Sequence, residues 1–426
     1  MSDHIQNQNS RKKQTQEIIQ ASLPPMDLIQ QELGSAKNMD DFFGKEGILS
    51  RVFGRTLEKL LEAELTDQLG YEPYEAAGRN SGNSRNGKVT RKIRSSAGQT
   101  EIAVPRDRNG EYEPKLLKKY AHNTNELEEK ILAFYARGLS TRDIADSLAE
   151  MYGMDVSAAT ISTITDKILP LVEEWQNRPL AATYAIVYLD AIFIKIRREG
   201  KVENVAVYNV LGVDLEGRRD ILGHWIGEGA GEGAKFWLSV LSELKVRGVK
   251  EIFIACMDGL TGFSEAIGAV FPYTEVQRCI IHQIRASLRY VVSKDQKPFV
   301  ADLKLIYKAA TREEAEGNLL ALAEKWEKKY TVAVRSWVSN WSELSTYFDY
   351  TPEIRRLIYT TNSVEGYHRQ VRKVIKTKGA FPTKEAVKKL MYLAYRNITR
   401  DWTAPMQNWA SILNQLAIKF EARLQF

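Results

Sequence analysis

Val187-Tyr-Leu-Asp-Ala-Ile-Phe193 and Ile254-Ala-Cys-Met-Asp-Gly-Leu260 are two strongly apolar runs, the first carrying an aspartate inside it and the second meeting one at its end. Around the first run, Tyr184–Ile196, Asn204–Val213 and Arg218–Ile226 alternate with a period of two and predict three strands. Asp214-Leu-Glu-Gly217 supplies a hairpin turn between the last two, and residues 195–203 read as a loop. Before the second run, Gly233–Arg247 aligns Phe236, Trp237, Val240, Leu241 and Leu244 along one face and predicts a helix. Glu251–Met257 is a continuous apolar stretch, the signature of a buried strand, and a helix is expected at 261–269.

Three hairpin-linked strands, a helix and a buried parallel strand describe the opening half of a ribonuclease-H-like α/β fold. Asp190 then lies within the first strand and Asp258 just past the fourth. An acid set in an apolar strand is costly unless its charge is compensated. Two of them at neighbouring points of one sheet suit a hard divalent cation, which takes oxygen ligands and keeps several waters. The competing role for Asp258 is to cap the turn at Gly259. A third carboxylate is expected from a downstream helix, where Thr360-Thr-Asn-Ser-Val-Glu-Gly-Tyr-His-Arg-Gln-Val-Arg-Lys373 offers Glu365, capped by Asn362. Arg369 and Arg372 follow on the same face, and Lys373 and Lys376 continue the charge. From Glu365 to Arg400 ten cations face only one other acid, Glu385, as expected where a metal ligand meets a nucleic-acid backbone.

Towards the N-terminus, 1–25 reads as a mobile polar tail. Ile48, Val52, Phe53, Leu57, Leu60, Leu61 and Leu65 form one helical stripe closed by Gly70, and the 47–69 helix is a candidate dimer interface. A Gly/Asn/Ser loop, 78–88, precedes two short alternating runs, 88–94 and 99–104. Eleven cations between Gly78 and Lys119 oppose four acids, and Arg79, Arg85, Lys88, Arg91, Lys92, Arg94, Arg106 and Arg108 are the candidate DNA contacts. Next come two helices, with Ser140 and Ser157 as caps and Gly153 between them, in the grammar of a helix-turn-helix. Thr160, Ser162 and Thr163 would then approach a groove; an ordinary helical hairpin is the alternative.

Composition narrows the class. A net charge of +6 on 426 residues says little about partners as a whole, so the local clusters carry that weight. Two cysteines, Cys256 and Cys279, exclude a disulfide framework and a four-cysteine zinc site. No apolar signal core or membrane-length run is present, and a cytoplasmic, nucleoid-associated protein is expected. Cys279 and His282 have no second pair to complete a zinc site, so His282 is read as orienting a carboxylate or contacting a phosphate.

Leu189-Asp-Ala191, Phe236-Trp237, Arg247-Gly248, Met257-Asp-Gly-Leu-Thr-Gly-Phe263, Cys279-Ile-Ile-His282 and Thr361-Asn-Ser-Val-Glu365, together with Val104-Pro-Arg-Asp-Arg-Asn-Gly110, resemble bacterial mutator-type transposases of the DDE group. The resemblance spans roughly Leu49 to Arg400 and is specific through the combination and order of its motifs. It implies a metal-binding catalytic triad on Asp190, Asp258 and Glu365, a Cys-x-x-His element on Cys279 and His282, and a basic residue at Arg372. It further implies a mostly helical insertion between the second Asp and the Glu, and two Mg²⁺ or Mn²⁺ ions per site. The expected activity is cleavage at the ends of an insertion sequence, at its terminal inverted repeats, and transfer of the freed strand to new double-stranded DNA, by a homodimer. The expected divisions are a tail (1–25), a helical segment (26–75), a basic β unit (76–120), a helix-turn-helix-like domain (121–178), the first part of the catalytic core (179–293), an all-α insertion (294–358) and the core's C-terminal helices (359–426).

Two other functions use the same residues: a DNA-binding regulator with a relic catalytic domain, and a structure-specific nuclease of the same fold. Within the insertion, Trp326, Tyr330, Trp337, Trp341, Tyr347, Phe348 and Tyr350 suit the core of a helical bundle, with base stacking by Trp337 or Trp341 as the sharper alternative.

Overall fold

The computed structural model describes residues 26–42, 47–78, 81–95, 98–117, 123–227, 233–260, 262–359 and 361–423. The segment 1–25, Arg79, Lys118, Lys119 and residues 228–232 lie outside these. The chain falls into two compact units, one ending at Asp166 and the other starting at Lys167.

In the first unit, α1 (Met26–Gly34) and α2 (Ile48–Leu69) precede an antiparallel hairpin of β1 (Arg85–Ser95) and β2 (Gly98–Asp107). The apolar stripe of α2 is what the hairpin packs on: Leu61 meets Ile93, Ile102, Val104 and Leu117, and Leu57 joins at the edge. Leu61 and Leu65 are therefore buried in their own unit rather than left as an open face. Gly54 permits the close approach, since a Cβ there would sit 2.8 Å from the Thr100 hydroxyl. Then come α3 (Asn125–Ala136), α4 (Thr141–Tyr152) and α5 (Ala158–Asp166). Ser140 and Asp143 form a reciprocal capping box, Gly153 ends α4 at φ 58°, and the Ser157 hydroxyl accepts the Thr160 N–H at 3.1 Å.

The second unit opens with α6 (Leu169–Asn177) and is built on a five-stranded mixed sheet. Its strands are β3 (Thr183–Arg198), β4 (Lys201–Asp214), β5 (Arg219–Ile226), β6 (Glu251–Met257) and β7 (Glu275–Arg278), in the order β5-β4-β3-β6-β7. The first three are antiparallel, and β6 and β7 run parallel to β3. Helices α7 (Ala234–Val246) and α8 (Phe263–Val270) bury Trp237, Val240, Leu241, Phe263 and Ile267 against Val187, Leu189, Tyr208 and Met257 on one face. Residues 195–203 are not an open loop. Both strands continue to the pair Arg198–Lys201 and turn over Glu199 and Gly200, each at positive φ, as a two-residue hairpin demands. Gly217 makes the next turn at φ 79°, where a Cβ would lie 2.3 Å from the Trp409 ring.

After β7 the chain is helical: α9 (Ile280–Leu288), α10 (Ser293–Tyr307), α11 (Arg312–Trp326), α12 (Thr331–Ser339), α13 (Trp341–Leu344), α14 (Pro352–Ile358), α15 (Asn362–Ile375), α16 (Lys384–Thr399) and α17 (Trp409–Lys419). Phe299, Leu303, Leu322, Trp326, Tyr330, Trp337, Tyr347, Phe348 and Tyr350 are buried core residues of 294–358, whereas Trp341 is half-buried. Trp326 also donates to Asp302 at 2.6 Å and Trp341 to Glu316 at 3.0 Å. Helix α15 returns to pack on β3 and β4, which brings Glu365 to the strand carrying Asp190.

Candidate active site

Asp190 sits mid-β3 opposite Asn209 of β4 and is buried. Burial pushes its carboxyl pKa up, but the hydrogen bond and charge of His368 and the charge of His282 outweigh burial and hold it below the ordinary value. His368, one turn after Glu365 on α15, is itself buried and places Nδ1 3.4 Å from Asp190 Oδ2. Behind this pair lies a neutral layer: Asn209 Oδ1 is 2.8 Å from His224 Nδ1, and His224 Nε2 is 3.1 Å from the Tyr367 hydroxyl. Burial, helped by the charge of His368, pushes His224 down to about 3, so it is uncharged near neutrality.

Asp258 follows β6 at the start of the turn leading to α8, and its Oδ1 accepts the Gly259 N–H at 2.6 Å. The turn role and the metal role are thus compatible in one side chain. Glu365 occupies the first turn of α15, where a carboxylate is favoured by the helix dipole. Between these two acids stands His282 on α9, with Nδ1 3.6 Å from Asp258 Oδ1 and Nε2 3.4 Å from Glu365 Oε1. Burial disfavours its charged form, yet the neighbouring Cys279 sulfur and the Asp258 and Asp190 charges raise its pKa to about 9. Cys279 precedes α9, buried under Thr361, whose hydroxyl lies 3.5 Å from its sulfur. Burial pushes that thiol up, but His282 and Thr361 bring it below its usual value.

A pocket of about 180 Å³ joins Asp190, His282 and Glu365, lined also by Ala191, Arg285, Arg369 and Arg372, with Asp258 beside it against His282. Arg285, one turn after His282, donates to Glu365 Oε1 at 2.8 Å. Arg369 and Arg372 are exposed at the rim, and Lys373 and Lys376 continue outward from the same helix. Acid at the floor and guanidinium at the rim is an arrangement that can hold a cation beneath a phosphate.

The donor atoms fit a divalent cation. One ligand atom each from Asp190, Asp258 and His282 lie within 4.8 Å of one another, a spacing that one ion at about 2–2.5 Å from each can bridge. His282 Nδ1 is buried without a hydrogen-bond partner, and its proton would have to leave for it to serve as a ligand.

The turn bearing Asp258 is held from a distance. Glu343 of α13 accepts from Arg278 Nε at 2.8 Å and from the Ser264 hydroxyl. Arg278 lies against Gly259, so close that a Cβ there would be 2.9 Å from its Nη1. The helices of 294–358 thereby brace the loop that carries Asp258. His368, Arg285, His224 and Glu343 are the members of this site that sequence reading did not single out. The first two had a signal, each lying three residues beyond a residue already chosen.

Several of the basic positions in the first unit are occupied internally. Arg85 donates to the Tyr71 carbonyl at 3.0 Å and to Thr66 at 2.6 Å, while Lys88 pairs with Glu62 and Lys92 lies 3.4 Å from Glu101. Arg91 and Arg94 are half-buried, whereas Arg106 and Arg108 are exposed. Of the helix-turn-helix candidates, Thr163 is exposed and Thr160 and Ser162 are half-buried.

The model of the Mutator family of transposases matches residues 27–405. A probable transposase for an ISRM3-like insertion sequence element from Sinorhizobium fredii (strain NBRC 101917 / NGR234) is 41% identical over 92% of this chain and 97% of its own length. The transposase for element ISRM3 of Rhizobium meliloti (strain 1021) matches at the same identity and coverage. The transposase for IS256 in transposon Tn4001 of Staphylococcus aureus is 27% identical over 84% of this chain and 92% of its own length. The chain belongs to the Mutator family of transposases.

Proposed function

We propose that this transposase cuts and joins DNA with a DDE triad, Asp190, Asp258 and Glu365, on a ribonuclease-H-like core, acting at the terminal inverted repeats of its own insertion sequence. The observation that carries this reading is that Asp190, from mid-β3, and Glu365, from the start of α15, line one arginine-rimmed pocket, while Asp258, at the end of β6, lies beside it against the pocket residue His282. Two Mg²⁺ or Mn²⁺ ions held there would lower the pKa of a water or a DNA 3′-hydroxyl and stabilise the leaving oxygen. The chain's own residues do the rest. Asp190 is fixed in one rotamer by His368 and the Ala191 N–H, which leaves a defined oxygen edge towards the pocket. Arg285, Arg369 and Arg372 supply guanidinium groups to the non-bridging oxygens of the phosphodiester. His282 spans Asp258 and Glu365 and offsets their mutual repulsion until the site is loaded.

The hairpin cations Arg106 and Arg108, together with α4 and α5, support binding of the element ends by the first unit, and Lys373 and Lys376 extend the basic track beyond the pocket. Two ends must be held for joining, so a homodimer is the working assembly. No described helix is long and apolar enough to cross a membrane.

Incubating the full chain with Mg²⁺ and a DNA fragment bearing the flanks of its gene is expected to yield cleaved ends and joined products. Cleavage without joining would support a nuclease instead, and binding without chemistry a regulator. Glu343→Ala, which releases Arg278 and the Asp258 turn, is expected to raise the Mg²⁺ concentration for half-maximal cleavage roughly tenfold. DNA binding measured in calcium should stay unchanged in that variant; an unaltered Mg²⁺ curve would remove the brace from the mechanism.

A further inference from the structure

We propose that Phe193 is the platform on which the base next to the cut stacks, the β3–β4 ribbon around it guiding that DNA strand out of the active site. The proposal rests on the reading of Asp190, Asp258 and Glu365 as the catalytic centre and adds a substrate contact to it. The side chains of β3 alternate strictly here: Ile192, Ile194 and Ile196 are buried, while Phe193, Lys195 and Arg197 are exposed. An aromatic ring 67% exposed on a regular strand is an unusual expenditure of apolar surface. It is not an isolated ring, because Ala191, the preceding residue on the same face, lines the pocket.

Position and charge fit a nucleic-acid strand. Phe193 is three residues beyond Asp190, about 10 Å along the strand at the usual rise, and shares its face with Ala191 rather than with Asp190, so a base reaches it past Ala191, where the pairing of β3 with β6 has ended at Leu189. Lys195 and Arg197 follow on the same face, with Ala206, Asn204 and Val202 across from the three of them on β4. Between Phe193 and Ala206 the acids are Glu199, at the turn, and Glu203, which pairs with Arg198 on the opposite face. The face is therefore an aromatic followed by two cations with no acid among them, the pattern of a single-strand or strand-end track. A base inside a duplex already has both faces stacked, whereas cleavage frees one face of the terminal base. Stacking on Phe193 would hold that end beside the carboxylates between cutting and joining. Of the two rings that the sequence offered for this task, Trp337 is fully buried and cannot reach a base, and Trp341 is half-buried with its indole N–H held by Glu316.

The test places 2-aminopurine at the base flanking the scissile phosphate and compares wild type, Phe193→Ala and Phe193→Trp in the full chain. Wild type and Phe193→Trp should quench the fluorophore, while Phe193→Ala should leave it bright and slow strand joining roughly tenfold, in line with the loss of one base stack. An abasic residue at that position should erase the difference between wild type and Phe193→Ala. Since the ring is exposed, thermal melting should be the same in all three. Asp190→Asn separates the two readings: it should abolish cleavage yet keep the quenching on a pre-cleaved end. Equal quenching by wild type and Phe193→Ala, or a tenfold defect that persists on the abasic end, would overturn the proposal.

Discussion

Asp190→Asn, Asp258→Asn and Glu365→Gln should each lower end cleavage by roughly a thousandfold or more, about 4 kcal/mol of transition-state stabilisation, while leaving DNA bound. Each change keeps the shape of the side chain and removes one negative charge, from the pocket floor for Asp190 and Glu365 and from beside His282 for Asp258. Binding should not suffer, because the same pocket is rimmed by Arg285, Arg369 and Arg372, and a less acidic floor repels phosphate less. Glu365→Gln goes further by weakening the hold on Arg285, which now spends a guanidinium N–H on Glu365 Oε1. A modest gain in DNA affinity is expected from that variant, measured by anisotropy in calcium, alongside its loss of chemistry. Asp258→Asn is the cleanest arm of the three, since Asp258 is exposed and the amide can still accept the Gly259 N–H. Asp190→Asn also disturbs His368 beneath it. Pairwise combinations should be scarcely worse than single changes, as for groups that act as one unit. Any single variant that keeps a tenth of the wild-type rate with Mg²⁺ would remove that residue from the triad.

What the sequence made legible follows from how locally each feature is encoded. Strand β6 was readable because a strand buried on both faces is a continuous apolar run, and Glu251–Met257 has nothing else to be. Asp190 and Asp258 stood out because acids are costly in such runs, and Glu365 because it is nearly alone among cations. The β3–β4 turn was missed because Lys195, Arg197, Glu199, Lys201 and Glu203 look like a solvated loop, although the inward isoleucines keep the strand period through them. Charge density in 78–119 counted cations without seeing where they point. Arg85 and Lys88 are tied to α2 and the segment after it, which only the packed hairpin could reveal. Glu343 had no local signal at all, because its partners Arg278 and Ser264 are 65 and 79 residues away in the chain. His368 did have one: it is a turn from Glu365, so it had to share that face of α15.

Trp337→Ala should unfold the support of the active site rather than weaken a DNA contact. The indole is fully buried in α12, and its Nε1 donates to Ser287 Oγ on α9 at 2.9 Å. Truncation removes the largest fully buried side chain of the described core and is expected to cost about 3–5 kcal/mol, a large share of a typical domain's stability. In a thermal melt this corresponds to a drop of roughly 10 °C for a unit of this size. Trp337→Phe keeps most of the volume and loses the hydrogen bond, at about 1 kcal/mol, because Ser287 still donates to the Gln283 carbonyl at 2.8 Å. Cleavage should follow the same ranking for a structural reason. Helix α9 carries His282 and Arg285, and it is fastened to α12 by the indole and by the Gln283–Ser336 hydrogen bond at 2.8 Å. With the indole gone, one polar contact remains to hold α9 against α12, and the spacing of His282 from Asp258 and Glu365 is no longer fixed. Activity in Trp337→Ala should therefore be lost at temperatures where the protein as a whole is still folded, and Trp337→Phe should restore it. A variant that melts like wild type but fails only on DNA ends would instead place this ring at the substrate.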